Sequence, residues 1–105
     1  MARMTRMTRD EGRAIVRAHL NASFANTHNI SDEGSSRTQL VSFVLRPIAA
    51  GATYHVLEIH EDLLDGEELE TQLAEVHVTD QFRNKGVRKL RIPPNGPAEV
   101  LERCG

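Results

Sequence analysis

With 105 residues, 39% of them hydrophobic, but only three Phe, one Tyr and no Trp, the chain supports one thin core that buries roughly two thirds of its unfolded surface. That excludes both a disordered chain and a multidomain one. Its single cysteine, Cys104, excludes an intramolecular disulfide and a thiolate metal site, and no stretch approaches membrane-spanning length or shows an apolar leader, so a cytoplasmic setting is expected.

Residues 1–7 are polar enough to fray. Thr8-Arg9-Asp10-Glu11 is a capping box, with Thr8 placed to accept from the backbone of Glu11 and Glu11 to reach back. It opens an amphipathic helix from Arg9 to about Ala25, with Ile15, Val16, His19, Leu20, Ser23 and Phe24 on one face. Asn26 to Ser36 is rich in Asn, Ser, Asp and Gly without an apolar period and reads as a mobile loop. Thr38 to Leu45 is dense in β-branched and aromatic residues, predicts a central strand, and ends at Pro47. Ala52 to His60 alternates, with His55, Leu57 and Ile59 on one side, and the two strands predict an antiparallel hairpin.

The next segment is ambiguous. Glu61 to Ala74 fits a short helix after Gly66 built on Leu69 and Leu73, or a second hairpin turning at Asp65-Gly66. Gln72 to Thr79 reads as a strand because Val76 and Val78 alternate with His77, and Glu67 to Thr71 stays open between the two. Asn84-Lys85-Gly86 is a turn into Val87 to Ile92, where outward Lys89 and Arg91 suit a sheet edge. Pro97 opens a final helical turn through Arg103. The expected fold is a single α+β domain over 1–105. It comprises a small antiparallel sheet of about four strands, one N-terminal amphipathic helix and a short C-terminal helical turn.

Charge is arranged in blocks. Met1 to Ile30 holds five Arg against two acids, Ser31 to Asp80 two against eleven, and Gln81 to Gly105 six basic residues against two acids, so a formal charge of −2 conceals strong local polarity. Glu58, Glu61, Asp62, Asp65, Glu67, Glu68, Glu70 and Glu75 fall in one run with no cation among them. Such a run either presents carboxylates to a basic partner or is neutralised by the chain's own basic blocks. Cations for nucleic acid would be Arg6, Arg9, Arg13 and Arg17 on the first helix, with Arg83, Lys85, Arg88, Lys89 and Arg91 near the C-terminus. Only Phe82 beside Arg83 resembles base-stacking interleaving.

Signals for catalysis are absent from the pattern. His55 and His60 point to opposite faces of a strand and match no metal-ligand spacing, and they read with His77 as sheet-surface residues. No nucleophile elbow, glycine-rich phosphate loop or dinucleotide fingerprint occurs, so no catalytic, cofactor or metal residue is assigned. The expected function is a non-catalytic interaction module that shows an acidic face to a basic protein surface. It would be an inhibitor of a nucleic-acid-handling complex in the style of phage-borne anti-defence proteins, anti-CRISPR proteins among them. The alternative is a nucleic-acid-binding regulatory domain. A thin core and an edge strand favour self-association as a homodimer.

Overall fold

A computed structural model describes residues 8–35, 37–66, 68–94 and 96–104; the expected fraying of 1–7 lies outside them. The order is α1 (Arg9–Phe24), β1 (His28–Ser35), β2 (Leu40–Pro47), β3 (His55–His60), α2 (Glu61–Leu64), α3 (Leu69–Val76), α4 (Val78–Asn84), β4 (Val87–Ile92) and β5 (Glu99–Arg103). The α+β class holds, with five strands in the order β1-β2-β3-β4-β5. No helix among the described residues is long and apolar enough to cross a membrane.

α1 begins as its capping box requires: Thr8 Oγ1 accepts from the Glu11 amide at 3.1 Å, and Glu11 Oε1 accepts from the Thr8 amide at 2.9 Å. Val16, Leu20 and Phe24 are buried at helical spacing. They meet Val41, Phe43 and Leu45 of β2, Leu57 and Ile59 of β3, and Leu90 and Ile92 of β4. The other side of the core comes from Leu63, Leu64, Leu69, Leu73, Val78 and Phe82 of the three short helices. One apolar layer therefore lies between the sheet and all four helices, which is how a half-buried sheet face is covered.

Four expectations are corrected. First, His28–Ser35 is no mobile loop; it pairs antiparallel with β2 along its length, from His28 opposite Pro47 to Ser35 opposite Leu40. Its inward positions carry His28, Ile30 and Asp32 in place of an apolar row. Asp32, whose side chain is only 10% exposed, takes Arg13 Nη1 at 3.3 Å and Arg17 Nη1 at 2.9 Å. Gly34 leaves room for this arrangement, since a Cβ there would stand 2.7 Å from Arg13 Nη2. An edge strand is thus fastened to α1 by charge. Asp32→Asn is expected to lower the urea midpoint, corresponding to about 1 kcal/mol of unfolding free energy at low salt and less at 1 M salt. An unchanged midpoint would mean that the bridges contribute nothing to holding β1.

Second, the segment Gln72 to Thr79 is helical. α3 buries Leu69 and Leu73, α4 buries Val78 and Phe82, and between them His77 adopts φ 56°, ψ 51°. The left-handed residue turns the chain so that Val76 and Val78, on either side of it, both reach the core face. This imitates the period of a strand. Third, Val87–Ile92 is not at the edge: β4 runs parallel to β3 on one side and antiparallel to β5 on the other. The sheet is therefore mixed, and α2, α3 and α4 form the crossover that parallel neighbours require. Fourth, the end of the chain is a strand, β5, in place of the helical turn. Its ladder with β4 is bulged between Val87 and Leu90, a device that discourages edge-to-edge pairing.

Candidate functional site

Folding divides the acidic run. Glu61, Asp62 and Asp65 gather around Arg9 of α1, at 3.3, 3.5 and 3.4 Å, so the first turn of α1 is clamped to α2. Glu58 lies on the sheet face away from the helices. Its Oε1 accepts from Arg91 Nε at 2.9 Å and Nη2 at 2.8 Å, while Lys89 Nζ stands 3.6 Å from Oε2. The parallel β3–β4 pairing sets this, placing Glu58 opposite Arg91 and Val56 opposite Lys89. These four carboxylates are engaged within the chain. Glu67 lies outside the described residues. Glu68, Glu70 and Glu75 are exposed on and beside α3 and form no ion pair among the described residues.

The basic residues are dispersed in the same way. Arg6 lies outside the described residues, and Arg9, Arg13 and Arg17 hold acids of the same chain. Arg83 donates to the Ser23 carbonyl and lies over the Phe24 ring, 5.0 Å from its centroid. Lys85 stands 3.9 Å from Asp80, and Lys89 and Arg91 hold Glu58. Arg88 is exposed. A phosphate-tracking surface needs these cations on one side, whereas the fold spreads them between the flank of α1, the end of α4 and the opposite sheet face.

Of these carboxylates, Glu70 borders a concavity that the sequence pattern did not reveal. Ile15, Ala18 and His19 of α1 face Glu70, Leu73 and Ala74 of α3 across a groove of roughly 440 Å³. It continues past His19, Leu73 and Ala74 into a space of roughly 380 Å³ walled by His77, Thr79, Asp80, Arg83 and Asn84. The floor is aliphatic because Ala18 and Ala74 are too short to fill the space between the helices. Those two small residues, one on each helix, are the only sequence signal of the groove. Glu70 lines the groove, exposed and with no ion pair among the described residues. In the lower wall, Asp80 accepts from Asn84 Nδ2 at 2.6 Å and Thr79 donates to Ser23 Oγ at 3.0 Å.

The histidines are not sheet-surface residues as a group. His55 is 4% and His28 6% exposed, His77 is the interhelix turn, and Nδ1 of His60 accepts the Asp62 amide at 3.2 Å as the cap of α2. Among the described residues no three His, Cys, Asp or Glu side chains come together as metal ligands. Comparison of the chain with protein-family models, with curated proteins and with solved structures gives no match, so the functional reading rests on this geometry.

Proposed function

We propose that the protein is a non-catalytic interaction module that docks a basic, amphipathic segment of another protein in the groove between α1 and α3. The observation that carries the reading is the placement of Glu70, exposed and without an ion-pair partner among the described residues, beside an aliphatic floor. Apolar side chains of the incoming segment would cover Ile15, Ala18 and Ala74, while its Lys or Arg residues face the carboxylates. The acidic face is thus narrower than the eight-residue run: Glu58, Glu61, Asp62 and Asp65 serve the fold. Proteins that hold nucleic acid display basic surfaces of the required sign, and occupying one would make this module an inhibitor of such a complex in the cytoplasm.

The test uses a synthetic helical peptide with Lys and Arg on one face and Leu on the other. Backbone amide shifts at Ala18, His19, Glu70 and Ala74 are expected on titration. Replacing Glu70 by Lys, on an exposed helix surface that leaves the core untouched, is expected to weaken binding about tenfold at low salt. Shifts confined to other surfaces, or equal affinity for the charge-reversed protein, would remove the docking reading. Salt-sensitive binding to duplex DNA with no binding to the peptide would establish the alternative.

A further inference from the structure

Two imidazoles that the docking reading does not use are buried together where five elements meet. His28 of β1 and His55 of β3 have ring centroids 5.7 Å apart. His55 stacks on Phe82 of α4, 4.5 Å between centroids and 19° between planes, and Phe24 of α1 closes the cluster edge-on to His28 at 5.4 Å. The hydrogen bonds fix tautomers, because a carbonyl only accepts. His55 Nδ1–H donates to the Val87 carbonyl of β4 at 3.0 Å, and His28 Nε2–H donates to the Thr53 carbonyl at 2.6 Å. Nδ1 of His28 faces the Thr27 hydroxyl at 2.7 Å, which leaves Nε2 of His55 as the nitrogen of the pair open to a proton.

We propose that protonation of His55 within this cluster in mildly acidic solution loosens α4 from the sheet and so withdraws one wall of the docking groove. α4 is the element at risk because it is short and leans on the cluster through Phe82, while its Thr79, Asp80, Arg83 and Asn84 wall the groove. The charges facing His55 oppose a proton: His28 comes from β1, Arg88 from β4, and the Arg83 guanidinium of α4 sits over the neighbouring Phe24 ring. No carboxylate forms an ion pair with either histidine among the described residues. Burial, and then the neighbouring His28 and Arg88, hold the His55 pKa below its ordinary 6.5, against the raising effect of the hydrogen bond to Val87. The folded form therefore binds fewer protons than the unfolded chain. Its stabilisation by neutral His55 is complete above pH 6.5 and is lost as pH falls through the lowered value.

The release of ligand rests on the docking reading, but the loosening does not, so two readouts separate them. In hydrogen exchange corrected for intrinsic pH dependence, amides of α4 are expected to lose about tenfold protection between pH 7.5 and 5.5, while those of Val16 and Leu20 in α1 keep theirs. His55→Gln, which retains a donor but does not titrate in this range, is expected to abolish the loss. An imidazole NMR titration of the unmodified protein should show His55 titrating in step with the α4 amides. Over the same range the basic peptide is expected to bind about tenfold more weakly. Protection of α4 that is independent of pH, equal loss in His55→Gln, or loss shared with α1 overturns the switch. Failure of the peptide to bind at any pH removes the docking reading alone.

Discussion

Gly12→Ala is expected to destabilise the protein by about 3 kcal/mol, although the same change inside an ordinary exposed helix stabilises by up to about 1 kcal/mol. Gly12 is buried in α1. A Cβ built there would stand 2.0 Å from the carbonyl oxygen of Leu64, 2.7 Å from its carbonyl carbon and 2.9 Å from its Cα. All three are backbone atoms of α2, so no rotamer change relieves the clash; the two helices must separate. Separation would strain the Arg9 clamp on Glu61, Asp62 and Asp65 and unseat Leu63 and Leu64 from the core. Urea unfolding should show a lower midpoint with an unchanged slope. A midpoint equal to or above that of the parent would mean that α1 and α2 do not approach as described.

Phe43→Ala is expected to cost about 4 kcal/mol, a large part of the 5–15 kcal/mol that holds a domain of this size. Phe43 is fully buried on β2, opposite Asp32 on one side and Leu57 on the other. With only three Phe and no Trp in the chain, no neighbouring large aromatic stands ready to fill the space, because Phe24 and Phe82 are committed to the histidine cluster. Phe82→Ala, at the edge of the core near the groove, should cost less and should act mainly on α4. If thermal or urea unfolding ranks the two in the opposite order, the core is centred on the helices near α4 instead of on β2.

Helix α1 was legible because its signals are local: a capping box at Thr8 and Glu11, and apolar residues at the spacing of one helical face. The hairpin of β2 and β3 was legible for the same reason, since alternation and a terminating proline are properties of short segments. β1 was not, because its inward face is satisfied by Arg13 and Arg17 reaching from another element. No hydrophobic period records a strand fastened by ion pairs. α3 and α4 were misread in part because one left-handed residue, His77, aligned the ends of two helices into a false alternation.

The candidate site divides along the same line. Sequence established that charge comes in opposed blocks, that the middle block is acidic, and that no familiar catalytic or metal pattern runs through the chain. It left open whether the acids face a partner or the chain's own arginines, because pairing depends on which strands become neighbours. The parallel placement of β4 beside β3 sends Arg91 to Glu58, and the packing of α1 on α2 sends Arg9 to Glu61, Asp62 and Asp65. Of what remains outward, Glu68, Glu70 and Glu75, it is Glu70 that borders a groove made by two alanines that meet only after the helices pack. Local free energies along the chain select helices, turns and hairpins, whereas the surface charge pattern and its concavity follow from contacts between residues far apart in sequence.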